Sequence, residues 1–136
     1  FGADAPSAGG HFAPLTPSRI LDTRNGTGGI TGPIGQTPVS VQVAGKGGVP
    51  ATGASAVVLN VTVTQPTATS SFLRVYPTGA TMPNVSNLNF KAGQTVPNQV
   101  TVKLGTGGKV NLYNNTGSTH VLFDVAGWYT NPGVTP

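Results

Sequence analysis

The 136-residue chain holds 20 Gly, 12 Pro and no Cys, and its seven basic and three acidic residues give a net charge of +4. Without cysteine there is no disulfide framework and no thiolate metal site, and 37% hydrophobic residues set it apart from chains that stay disordered for want of a core. The basic residues are scattered along the chain, so the charge argues against nucleic acid, whose binding needs clustered cations, and leaves room only for weak attraction to anionic cell-wall polymers.

The length suits one domain with a core of its own. Residues 1–10, FGADAPSAGG, read as a flexible tail or linker, 11–130 as the folded module, and 131–136 as a second tail. No apolar run approaches the roughly 18–20 residues that a membrane span requires, so no membrane insertion is expected. Val and Thr dominate, and both favour strands.

In chain order, 11–24 (HFAPLTPSRILDTR) reads as an edge strand or a strand preceded by an extended lead-in, because Pro14 and Pro17 cannot donate to a ladder. A Gly-rich loop, 25–36, follows. Val39, Val41 and Val43 alternate with Ser40 and Gln42, the period-2 pattern of a half-buried strand. After a loop at 46–54, Val57, Leu59, Val61 and Val63 share one face of a strand whose other face holds Val58, Asn60 and Thr62, which marks it as central. SSFLRVYP sets Leu73 and Val75 against Phe72, Arg74 and Tyr76. VSNLNF turns Leu88 and Phe90 inward and Asn87 and Asn89 outward. QVTVKL and KVNLYNN turn Val100, Val102, Leu104, Val110 and Leu112 inward, and GTGG at 105–108 reads as a tight hairpin turn between them. THVLFDVAGWY closes the fold. About eight strands with Gly-rich turns predict an all-β, antiparallel sandwich of Greek-key or jelly-roll type. The alternative is a β-trefoil, whose threefold internal repeat is not evident.

Four stretches, PLTPSRILDTR (14–24), VVLNVTVTQP (57–66), SNLNFKAGQTVPNQV (86–100) and HVLFDVAGWY (120–129), together resemble an accessory β-module of secreted and surface proteins of actinobacteria and related bacteria. The resemblance runs from residue 12 to residue 130. It implies an extracellular or cell-surface location and an accessory role beside larger catalytic or adhesive domains. It also suggests attachment to polysaccharide or cell wall.

The acids are only Asp4, Asp22 and Asp124. Glycoside hydrolysis needs two carboxyl groups, one of them protonated, and Asp22 and Asp124 are the only pair outside the first ten residues. Arg19 and Arg24 flank Asp22, and a carboxylate inside a β-fold is costly unless it is paired. Arg19, Asp22, Arg24 and Asp124 are therefore read as a structural ion network tying the first strand to the last. A weak calcium site near Asp22 or Asp124 is the remaining metal reading. His11 stands at a frayed end. Alternation puts His120 on one face with Leu122, Asp124 and Trp128, and no G-x-S-x-G occurs. The glycines of 25–35 precede no helix and no G-K-[ST], so they form no phosphate loop. No catalysis, metal or cofactor is expected.

Glycan binding rests on aromatic faces and amides. If the strands from 85 to 114 form a meander, Asn87 and Asn89, then Gln99, Thr101 and Lys103, then Asn111 and Tyr113 make one amide-rich face. Tyr76, at a strand end before Pro77, is expected to be exposed. Trp128 and Tyr129 point to opposite faces, one of them into the core. The candidate ligand-binding set is Tyr76, Asn87, Asn89, Thr101, Asn111, Tyr113 and Trp128. The expected partner is a polysaccharide or cell-wall glycan. The alternative is a structural or adhesive module that forms homo-oligomers through its sparsely charged edge strands.

Overall fold

The computed structural model describes residues 11–131; the expected tails lie outside this range except for Asn131. Eight strands form: β1 (Phe12–Asp22), β2 (Val39–Gln42), β3 (Ala54–Thr64), β4 (Ser70–Pro77), β5 (Leu88–Lys91), β6 (Val96–Lys103), β7 (Lys109–Asn114) and β8 (His120–Thr130). They build two four-stranded antiparallel sheets, β1-β8-β3-β6 (sheet I) and β2-β7-β4-β5 (sheet II). The fold is thus an all-β sandwich, and no α-helix occurs among the described residues.

The core is filled as the alternation predicts. Val57, Leu59, Val61, Val63, Val121, Phe123 and Val125 of sheet I are fully buried, and Leu73, Val110 and Leu112 oppose them from sheet II. Each such aliphatic side chain gains about 1.5–3 kcal/mol from leaving water. β1 is an edge strand and β3 lies between β8 and β6, as their sequences require. The β1–β8 register slips between Pro14 and Ser18, where Pro17 cannot donate to a ladder.

Two expectations fail. β6 and β7 are not hairpin partners, because β6 belongs to sheet I and β7 to sheet II. The residues between them form a 3-10 turn, Thr106–Gly108, that carries the chain from one sheet to the other. It is pinned on both sides: Thr106 N donates to Thr78 O at 2.9 Å and Leu104 N to Ser55 O at 3.0 Å. Nor do β5, β6 and β7 form a meander. Alternation says which residues face the core but not which of two sheets a strand joins. Only the β4–β5 link stays within one sheet; every other link crosses the sandwich.

A third difference is local. The β3–β8 register shifts where Val58 pairs with Gly127 but Leu59 pairs with Val125, leaving Ala126 as an extra residue. Such a bulge reverses the alternation beyond it. Trp128 falls opposite Val57 and packs on the core cluster, so it does not share the face of His120, Leu122 and Asp124. Tyr129 takes the outer face, with Phe12 at 5.1 Å between ring centroids. Gly127 makes room for this: a Cβ there would collide with the Phe12 ring and approach Ala13 O to 2.9 Å.

Candidate functional site

The fold brings Arg19, Asp22, Arg24 and Asp124 together on the outer side of sheet I. Asp22 ends β1 and is only 1% exposed. Its Oδ1 accepts from Arg24 N and Arg24 Nε, both at 3.0 Å, and its Oδ2 from Arg24 Nη2 at 2.9 Å and Arg19 Nη1 at 3.4 Å. Arg19 also grips Asp124 of β8 with two prongs, Nε to Oδ1 at 2.9 Å and Nη2 to Oδ2 at 3.1 Å. The result is a neutral chain, Asp124–Arg19–Asp22–Arg24. Hydrogen bonds from the Arg24 side chain lead in lowering the Asp22 pKa from 3.8 to about 2, against the opposing effect of burial.

This geometry is the reverse of what glycoside hydrolysis demands. A general acid needs a raised pKa, and Arg19 sits between the two carboxylates where a substrate would have to enter. Calcium at either carboxylate would compete with guanidinium donors already on both oxygens. Among the described residues no group of three or more His, Cys, Asp or Glu could hold a metal.

The residue between the charged pair closes the same seam. Thr23 is fully buried. Its hydroxyl accepts from Val121 N at 3.1 Å and lies 2.8 Å from His120 Nδ1, while Thr23 N donates to Val121 O at 3.2 Å. Leu21 fills the core. Leu-Asp-Thr-Arg is therefore a latch: Leu21 packs in the core, Asp22 and Arg24 bind each other, and Thr23 holds β8. His120 meets a threonine, not a serine–carboxylate pair. His11 binds the far end of β8, its N donating to Thr130 Oγ1 at 2.7 Å.

The outer face of sheet II is different in kind. β4 alternation sends Phe72, Arg74 and Tyr76 outward, and the register sets Tyr113 beside Arg74, Asn111 beside Tyr76 and Asn89 beside Phe72. The Phe72 and Tyr113 rings stand 6.5 Å apart, tilted by 58°. The Arg74 guanidinium lies 4.9 Å from the Phe72 centroid and 5.9 Å from that of Tyr113, within the range of a cation–π contact. Arg74 reaches Asn84 Oδ1 only at 3.5 Å, and its Nε is buried without a partner. Beside Phe72 the face sinks into a depression of about 440 Å³ walled by Ser70, Asn89, Lys91, Gln94 and Asn115.

The sequence-derived candidates divide across this frame. Asn89 and Tyr113 belong to the face, next to the depression. Tyr76 is buried, at 5% exposure, and not the exposed strand-end ring expected. Asn111 lies on the same face, but its Oδ1 accepts from Ser40 Oγ and Thr78 Oγ1 while its Nδ2 lies 3.5 Å from Tyr76 OH. Its amide holds strands together and is not open to a ligand. Asn87 accepts from Val75 N at 2.7 Å, replacing a ladder bond at the sheet edge. Thr101 is exposed on β6, so it faces the opposite side of the molecule, with Gln99 and Lys103. Trp128 packs on the core.

Sequence reasoning passed over Phe72 and Arg74 because it scored outward positions by amide content. Their alternation with Leu73 and Val75 was the available signal. It also missed Ser71 and Asn114, a buried polar hub at the end of sheet II. Asn114 Oδ1 accepts from Ser71 Oγ at 2.7 Å, and Asn114 Nδ2 lies within 3.2 Å of the carbonyls of Ile34, Thr116 and Gly117. The amide is thus fully engaged within the fold.

No family model matches the chain, and no curated protein matches it. The four stretches that carry the resemblance fall on β1, on β3, on β5 with β6, and on β8. Among the described residues no helix is long and apolar enough to cross a membrane.

Proposed function

We propose that the chain is a non-catalytic, extracellular glycan-binding module, accessory to a larger secreted or surface protein, that binds through the outer face of sheet II. The observation that carries this reading is the depression beside Phe72. It joins an aromatic wall to amide groups that the fold leaves open. Among the described residues Asn89 Nδ2 and Gln94 Nε2 make no hydrogen bond, although Asn89 Oδ1 and Gln94 Oε1 accept from Ser86 and from Lys91 N. Aromatic faces against a sugar ring, with a few polar groups to fix its hydroxyls, are what such a ligand requires. The non-catalytic reading is supported by the carboxylates, whose oxygens are committed to arginines.

The second aromatic pair, Phe12 and Tyr129 on sheet I, serves this purpose less well. Its cross-strand neighbour on the same face is Ala56, with Lys103 one strand further on, and no amide side chain stands directly beside the rings. The oligomerising alternative draws little from the sheet edges. β1 carries two prolines, β2 and β5 are four residues long, and β6 presents Pro97 and Lys103. These are the features that discourage edge-to-edge pairing.

The test is retention of the protein on chitin, cellulose, β-1,3-glucan, peptidoglycan and immobilised acidic polysaccharides. Retention on at least one is expected, reduced about tenfold, or 1.4 kcal/mol, by Phe72→Ala or Tyr113→Ala with the melting temperature little changed. Retention on none of these surfaces ends the reading. Retention that both alanine variants keep in full moves the site elsewhere.

A further inference from the structure

The described residues hold two carboxylates, Asp22 and Asp124, and both are neutralised on sheet I by Arg19 and Arg24. The remaining cations, Lys46, Arg74, Lys91, Lys103 and Lys109, face no acid there. Three of the five project from one surface. Register places Lys91 opposite Ser70, Arg74 opposite Tyr113, and Lys109 opposite Gln42 just past Pro77. All three share the outward parity of Phe72 and Tyr113. Four residues separate Ser70 from Arg74 along β4, and four separate Tyr113 from Lys109 along β7. Each step is about 13 Å at the rise of a strand. The cations thus make a row some 26 Å long that crosses sheet II diagonally, past the aromatic pair and the depression, with no carboxylate among the described residues of that face.

From this we infer that the ligand of the sheet II face is an anionic polysaccharide, one bearing carboxylate or phosphate groups at intervals along the chain. The inference rests on the glycan-binding reading and adds the charge of the ligand. Arg74 is the centre of the row. Stacking on Phe72 and Tyr113 holds its planar fork in place before any ligand arrives, so less freedom is lost when it grips an oxyanion. Its Nη1 makes no hydrogen bond and its Nη2 only the long one to Asn84, leaving donors of the kind that recognise carboxylate or phosphate. Lys91 overhangs the depression beside Phe72. Lys109 extends the row to the far rim. A neutral glucan would gain from the rings and amides but would leave all three charges unanswered.

The decisive comparison uses one backbone in two charge states: polygalacturonate and its fully methyl-esterified form, with a phosphate-bearing teichoic acid as a third surface. The expected result is retention on polygalacturonate or on teichoic acid, at least tenfold weaker binding to the ester, and about a tenfold fall in affinity between 50 and 200 mM salt. Which charged polymer binds better separates carboxylate from phosphate as the recognised group. Arg74→Gln, Lys91→Gln and Lys109→Gln should each weaken binding, Arg74→Gln most, by about tenfold. Lys103→Gln, which removes the same charge from sheet I, should leave it unchanged. The lysine variants alter exposed side chains, so the test stands even if Arg74→Gln folds poorly. Equal, salt-independent binding of acid and ester overturns the anionic assignment and leaves the glycan reading intact. A Lys103→Gln loss as large as that of Lys91→Gln overturns it too, since net charge alone would then be at work. Equal binding of RNA or of phosphatidylserine vesicles replaces it with a face for any polyanion. Binding to no glycan at all, charged or neutral, removes both proposals.

Discussion

Arg19 and Arg24 on one sheet and Arg74 on the other put the same side chain to opposite uses. The first two are drawn onto carboxylates, and their charge disappears into a neutral chain that fastens β1 to β8. The third is stacked on two aromatic rings with no acid near it, so its charge stays on display. The difference lies in the neighbours the register supplies: Asp124 stands opposite Arg19, whereas Tyr113 stands opposite Arg74. One sheet spends its guanidiniums on closing the fold, and the other keeps one that faces no carboxylate.

Breaking the ionic side of this contrast should have the largest effect. Asp22→Ala leaves two guanidiniums facing a buried vacancy and the Arg24 N–H without its acceptor. A loss of about 3 kcal/mol is expected, read as a fall in melting temperature on the order of 10 °C. A drop no larger than that of a surface substitution would show that the network is ornamental.

Acid should reach the same seam more gently. A carboxylate whose folded pKa lies below its unfolded value stabilises the fold at every pH above the unfolded value. That contribution is lost as pH falls from about 3.8 to about 2. It amounts to roughly 1–2 kcal/mol once solvent screening at the half-exposed arginines is discounted. Denaturant midpoints measured from pH 6 to pH 2 should fall over that window, and an Asp22→Asn variant should lose this component of the slope.

Next in size is Thr23→Val, which keeps the shape of the latch but deprives Val121 N–H of its acceptor. About 1–2 kcal/mol should be lost, with hydrogen exchange at Val121 accelerated while β4 and β7 remain protected. The smallest change sharpens the comparison from the display side. Arg74→Gln should cost less than about 1 kcal/mol of stability, the worth of an exposed cation–π contact. Were it to unfold the protein as Asp22→Ala does, Arg74 would be a structural residue and the contrast would collapse.

Much of this was legible in the sequence, for a physical reason. Period-2 alternation reports the face of each residue directly, so Val57 to Val63, Leu73, Val75, Val110 and Leu112 were placed in the core correctly. Prolines 14 and 17 marked an edge, and the clustering of Arg19, Asp22 and Arg24 announced an ion network. Sheet membership was not legible. The inward residues of β6 and β7 look alike, and nothing local says that the five-residue, Gly-rich link 104–108 crosses the sandwich instead of folding back. The expected amide face therefore came apart into residues on opposite sides of the molecule. The extra residue at Ala126 was equally silent, since a bulge needs only a small residue beside a glycine, and it turned Trp128 away from the face of Asp124 and onto the core cluster. Burial on an outward face misled as well: Tyr76 has the right parity for exposure, but its ring is covered and its hydroxyl lies against Asn111.

The placement of β8 has a consequence for how the chain comes to be folded. That strand is the last to be made among the eight, yet it lies second in sheet I, between β1 and β3. Until it arrives, β1 has no partner and β3 is bare along one side, with Arg19 and Thr23 waiting for residues about a hundred positions downstream. Assembly from such distant pairings is slow compared with folding from local ones. A ribosome-bound chain stopped before His120 should therefore stay protease-sensitive, and the module should acquire resistance in a single late step.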